Sequence, residues 1–93
     1  MPIQRMCRIV EKAQLNAYAT SMTLEVGEMS EQISFGQFIN IRCGEGLLLR
    51  RPISICGWQE GVLRIVFEVR GEGTAWLAQR RVGEELDVLG PLG

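Results

Sequence analysis

"VLRIVFEVRGEGTAWLAQRRVG", residues 62–83, sets the clearest strand of the chain directly before its one helix. Leu63, Ile65, Phe67 and Val69 share one face, with Arg64 and Glu68 on the other. That period of two is the mark of a half-buried strand over 62–69. Thr74 to Arg81 then carries Ala75, Trp76, Leu77 and Ala78, good helix material with little β-branching after Thr74. Arg80 and Arg81 fall where they complement the negative end of a helix dipole, and Gly83 ends the segment.

Outward from this stretch the chain continues to read as strands. Gln59-Glu60-Gly61 is a tight hairpin link to a strand at Ile53–Trp58, with glycine where positive φ is wanted. Gly36 opens a strand over Gln37–Arg42, and a Gly44-Glu45-Gly46 turn follows it. Met22, Leu24 and Val26 alternate with Thr23 and Glu25. Met6–Glu11 and Gln14–Tyr18 read as a first pair of extended segments, and Leu86–Leu89 as a last short strand. The expected fold is all-β: a small six- or seven-stranded antiparallel Greek-key barrel with one short helix, since closure removes sheet edges at this size.

Composition narrows the functions available. The 93 residues suffice for one small domain, residues 1–93. Ten basic against eleven acidic residues argue against a nucleic-acid partner held by bulk charge. No apolar run nears the ~18 residues of a membrane span, and Met1-Pro2-Ile3-Gln4-Arg5 lacks the apolar core of a secretory signal. Cys7, Cys43 and Cys56 are widely spaced and odd in number, a poor disulfide framework and a poor metal site. They are expected to be buried thiols in a reducing, cytoplasmic setting. With no histidine in the chain, an imidazole base is excluded.

Two places can carry chemistry. In Arg51-Pro52-Ile53-Ser54, Pro52 removes a ladder donor and so marks an edge, a bulge or a barrel rim. Arg51 offers a planar fork of donors for a phosphate or carboxylate, and Ser54 a hydroxyl ~10 Å further along an extended chain. The alternative is an exposed arginine pair and a solvent-facing serine. In Gly71-Glu72-Gly73-Thr74, glycines permit close approach to a ligand and the helix start presents free N–H groups to an anion. Thr74 is either a helix cap or a phosphate-binding hydroxyl. The dinucleotide fingerprint is absent, because Trp76 replaces the third glycine of G-x-G-x-x-G and no βαβ unit follows. A plain glycine turn explains this stretch equally well. Taken together, an arginine fork and a helix start suit a diphosphate better than either does alone.

In order and spacing, "FGQFINIRC" (35–43), "LLRRPISICGW" (48–58) and "VFEVRGEGTAWLAQRRVGEELDVLGPLG" (66–93) resemble the flavin-binding barrel of the ferredoxin-reductase superfamily. The likeness is strongest to the electron-transfer subunits of class 1B (NAD-dependent) dihydroorotate dehydrogenases, and runs from about residue 5 to the end. It implies an FAD ligand. Arg51 would bind its diphosphate, Pro52, Ile53 and Ser54 would line the flavin, and Ser54 would stand near the reactive ring nitrogen. Val66, Phe67 and Glu68 would contact the ring and ribityl chain, and Gly73 and Thr74 the diphosphate. No residue acts as a catalytic acid, base or metal ligand in this scheme.

The chain departs from the pattern at Ile53, where many relatives have an aromatic residue, and at Glu68, where they often have a basic one. The resemblance further implies a partner catalytic subunit with FMN that oxidises dihydroorotate in pyrimidine synthesis, and a NAD-binding domain and [2Fe–2S] segment beyond residue 93. Gly90-Pro91-Leu92-Gly93 reads as a connection onward, so the chain is expected to be one domain of a longer protein, inactive alone. Two other expectations stand beside this one: the FAD domain of a hydrogenase-associated or ferredoxin:NAD(P) reductase, and a non-catalytic barrel for protein–protein contact. For the latter, Leu47-Leu48-Leu49 is either core lead-in or a partner surface. Self-association of the exposed fragment is a consequence to expect.

Overall fold

The computed structural model describes residues 1–44 and 50–93. Among these, six antiparallel strands close into a barrel: β1 (Ile3–Gln14), β2 (Ala19–Gly27), β3 (Phe38–Arg42), β4 (Arg50–Gln59), β5 (Gly61–Glu68) and β6 (Glu85–Leu92). Helix α1 (Glu72–Ala78) lies between β5 and β6, and a 3-10 turn spans Glu28–Gln32. The order around the barrel is β1-β2-β5-β4-β3-β6. Strands β3, β4 and β5 run as consecutive neighbours and β6 returns beside β3, which is a Greek key. The expectation for Leu47-Leu48-Leu49, and that for Glu45 and Gly46 of the turn, lie outside the described residues.

Alternation along the strands decides which residues fill the barrel. Leu63, Ile65 and Phe67 of β5 are buried, and so are Met22, Leu24 and Val26 of β2. Their registers agree, with Met22 opposite Ile65 and Leu24 opposite Leu63. Cys7 and Leu86 are likewise opposed, as are Ile39 and Ile53, so inward faces meet across the ladders. Gly61 makes the β4–β5 hairpin at φ +84°, the conformation expected of it.

The first segment differs from expectation. One twelve-residue strand, β1, replaces the Met6–Glu11 and Gln14–Tyr18 pair, and residues 15–18 turn. Asn16 is the cause: its side-chain oxygen accepts the N–H groups of Tyr18 (2.8 Å) and Ala19 (2.9 Å), fixing an Asx turn in place of extended chain. Strand β5 ends at Glu68, leaving Val69 outside it. Helix α1 starts at Glu72, two residues early, and stops at Ala78.

The end of α1 is anchored by a residue that the sequence reading did not single out. The register of β1 and β2 shifts between Ile9 and Glu11, which puts Lys12 opposite the inward-facing Met22. From there the Lys12 ammonium donates to the carbonyls of Ala78 (2.6 Å) and Arg80 (2.8 Å). Arg80 acts as expected, donating to the Trp76 carbonyl at 3.0 Å with its guanidinium 4.3 Å over the Trp76 ring.

A polar belt crosses the outside of the barrel. Arg50 donates to Asp87 at 2.7 Å, and Gln4 donates to the same carboxylate oxygen at 2.8 Å. Burial pushes the Asp87 pKa up, but the Gln4 and Arg50 hydrogen bonds and the Arg50 and Arg42 charges outweigh it and hold the carboxyl below its ordinary value. Such a group contributes stability that is complete above its unfolded pKa and disappears as pH falls through the lower folded value. The thermal midpoint should therefore drop as pH falls below about 4, the ordinary carboxylate value, and Asp87→Asn should flatten that slope. Melts of both proteins across that range check it, and parallel slopes would refute the assignment.

The cysteines correct one expectation. All three are free and two are buried, but Cys56 is exposed. The β4–β5 register shifts between Ile55 and Gly57, and Cys56 occupies the irregular position. Burial raises the Cys7 thiol to about 11, against the opposing charge of Arg5, so it stays protonated at neutral pH.

Candidate functional site

Strands β4 and β5 part company at one end. Their ladder runs from Gln59↔Val62 to Ile55↔Ile65 and no further among the described residues. Beyond that point β4 stays paired to β3, through Ser54↔Phe38 and Ile53↔Ile39, and β5 to β2, through Phe67↔Thr20 and Glu68↔Ala19. A cleft of about 320 Å³ lies there, a volume suited to part of a ligand. Pro52 stands past the end of the β4–β5 ladder, as a residue without an N–H requires.

Pro52, Ile53, Ser54, Val66, Phe67, Glu68 and Thr74 all border this cleft. Seven of the nine residues singled out in the sequence therefore meet in one place. The other two adjoin each other: a Cβ built on Gly73 would stand 3.0 Å from Arg51 Nε and 3.1 Å from its Cγ. A side chain at 73 would thus crowd Arg51, which would have to shift by a few tenths of an ångström. The paired arginines of the sequence have separate fates, Arg50 on the outer belt against Asp87 and Arg51 at the helix start.

The side chains are not equally available. Ile53 and Phe67 are buried at 6% exposure each, so they face the core and offer a ligand mainly backbone. Pro52, Ser54 and Glu68 are exposed. The Thr74 hydroxyl takes the capping role, accepting the N–H groups of Arg70 (2.8 Å) and Gly71 (3.2 Å). Its own proton faces the Gly71 carbonyl at 3.3 Å, a long bond that a better acceptor can replace. Cys43 lies under the same turn, 3.4 Å from the Gly73 Cβ position. Burial raises its pKa and the Arg51 charge lowers it, burial prevailing.

Arg70 borders the cleft too, and sequence reasoning passed over it. It donates to the Glu68 carboxylate, whose hydrogen bond and charge raise the Arg70 pKa further. The signal was legible as opposite charges at 68 and 70, two residues apart on an extended chain and hence on one side. Among the described residues no group of three or more His, Cys, Asp or Glu side chains could hold a metal ion. No helix among them is long and apolar enough to cross a membrane.

The closed six-stranded barrel with helix α1 has the fold of ferredoxin reductases, as solved structures show. The NADH-dependent reduced ferredoxin-NADP oxidoreductase superposes with a TM-score of 0.88 at 29% identity, over 96% of this chain and 33% of that one. A flavohemoglobin from Malassezia yamatoensis, solved with bound FAD and heme, shares the fold alone, at 24% identity and a TM-score of 0.80 over 98% of this chain and 25% of its own. In sequence the chain is homologous to the electron transfer subunit of dihydroorotate dehydrogenase B (NAD(+)). The subunit from Fusobacterium nucleatum subsp. nucleatum is 38% identical over 91 residues, 94% of this chain and 35% of that protein. The chain thus spans about a third of the length of that curated relative. No family model matches it.

Proposed function

We propose that residues 1–93 form the FAD-holding barrel of an electron-transfer subunit acting with a dihydroorotate dehydrogenase. The observation that carries this reading is the packing of Arg51 on Gly73, beside a cleft opened by the parting of β4 and β5. It joins a guanidinium, the first-turn amides of α1 and an elongated slot, the three things that a flavin with a diphosphate tail needs. The missing Cβ at Gly73 lets the Arg51 side chain lie against the helix start, where such a tail would be met, so the residues present fit the cofactor.

Arg51 and the amides around Gly73 and Thr74 would neutralise and orient the diphosphate. Pro52, Ser54, Val66 and Glu68 would form the walls of the flavin slot, with backbone from Ile53 and Phe67. The Ser54 hydroxyl both donates and accepts, so it can serve a ring nitrogen in either protonation state. FAD, when bound, supplies the electron chemistry, and the protein supplies position and field. The partner is inferred to be an FMN-containing catalytic subunit that oxidises dihydroorotate. The NAD site and the [2Fe–2S] centre are assigned to chain outside these residues, and the assembly to the cytoplasm. Residues 1–93 alone would not turn over. The 38% identity to the dihydroorotate branch favours it over another flavin reductase.

Titrating the purified chain with FAD and following the flavin's visible absorption and fluorescence tests the reading. A saturable red shift and quenching at one FAD per chain are expected. Free-flavin spectra persisting to millimolar FAD would overturn it.

A further inference from the structure

Arg70 is an exposed side chain on a fixed backbone. Behind it, the Val69 N–H bonds the Tyr18 carbonyl at 3.1 Å. Its own N–H bonds the Thr74 hydroxyl at 2.8 Å, and that of Gly71 bonds the same oxygen. The Glu68 carboxylate then holds the guanidinium from one side. Arg51 stands against Gly73 in the same first turn of α1, one residue before the Thr74 that holds the Arg70 N–H. A chain-like anion running from the cleft, which Arg70 borders, to that turn, where Arg51 lies, would come within reach of both guanidinium forks. One phosphate needs one fork, whereas two consecutive phosphates can engage both.

Building on the function proposed above, we propose that Arg70, positioned by Glu68, is a second anion-binding residue of the cleft, and that with Arg51 it makes the site prefer a flavin with two phosphates over one with a single phosphate. A Glu68–Arg70 pair that is only surface decoration would leave ligand choice untouched, as exposed ion pairs commonly do.

The test compares FAD, FMN and riboflavin binding to the unmodified chain, Arg70→Ala, Glu68→Gln and the double variant, by flavin fluorescence, with circular dichroism to verify folding. Arg70→Ala should weaken FAD about tenfold and FMN less, leaving riboflavin nearly unchanged. The double variant should stay as weak as Arg70→Ala. Equal losses for all three ligands, or recovery of FAD affinity in the double variant, would overturn the inference, the latter because Arg70 would then act only by neutralising Glu68. FAD binding that needs Arg51 but not Arg70 removes this inference and leaves the FAD reading intact. No flavin binding by the unmodified chain removes both.

Discussion

Arg51→Ala should weaken FAD about thirtyfold, close to 2 kcal/mol, and weaken riboflavin little. Riboflavin has the same ring and no phosphate, so the ratio of the two losses isolates the contact to the diphosphate. The expected size follows from the setting. Hydrogen bonds to charged groups contribute about 1.5–3 kcal/mol, and a ligand lying over Arg51 would shield it from water, where its fork is worth most. The fold should not notice the change. Arg51 is exposed in the free chain, and truncating such a side chain usually moves stability by about 0.5 kcal/mol or less. Equal losses for FAD and riboflavin would mean that Arg51 shapes the ring pocket, and the diphosphate assignment would fail.

How much of this could be read from the sequence varies with the physics involved. Strand β5 was plain because one face of it is core, and burial writes a period of two into Leu63, Ile65 and Phe67. The helix was legible from composition, but its start was not, because Gly71 and Glu72 carry no strong signal and the cap comes from Thr74, three residues inside. The Asx turn at Asn16 was missed because alternation continues weakly through Gln14–Tyr18, and only a side-chain-to-backbone bond distinguishes turn from strand there. The site residues were legible as types, an arginine before a proline and glycines before a helix. Their convergence was not, since it depends on where the β4–β5 ladder stops. Lys12 illustrates the limit: a one-residue register shift points it at a helix 66 residues away in sequence, and no local pattern records that.

Ile65→Ala should cost about 3 kcal/mol and lower the thermal midpoint by roughly 12–24 °C. Ile65 is fully buried and faces Met22 on β2 and Ile55 on β4, so it ties three neighbouring strands together. Removing its branched side chain leaves a cavity that a closed barrel cannot collapse to fill, because each wall strand is hydrogen-bonded on both sides. A domain of this length has only about 5–14 kcal/mol of stability in total, so the loss is a large fraction of it. The position has a second consequence. Ile65↔Ile55 is the last pair before β4 and β5 separate, so the substitution weakens the hinge of the cleft itself. FAD should therefore raise the midpoint of Ile65→Ala less than it raises that of the unmodified chain at the same concentration, while Ile65→Val, which keeps the branch, should cost about 1 kcal/mol. Thermal melts with and without FAD decide both points. A midpoint for Ile65→Ala within a few degrees of the unmodified chain would show that this register, and with it the placement of the cleft, is wrong.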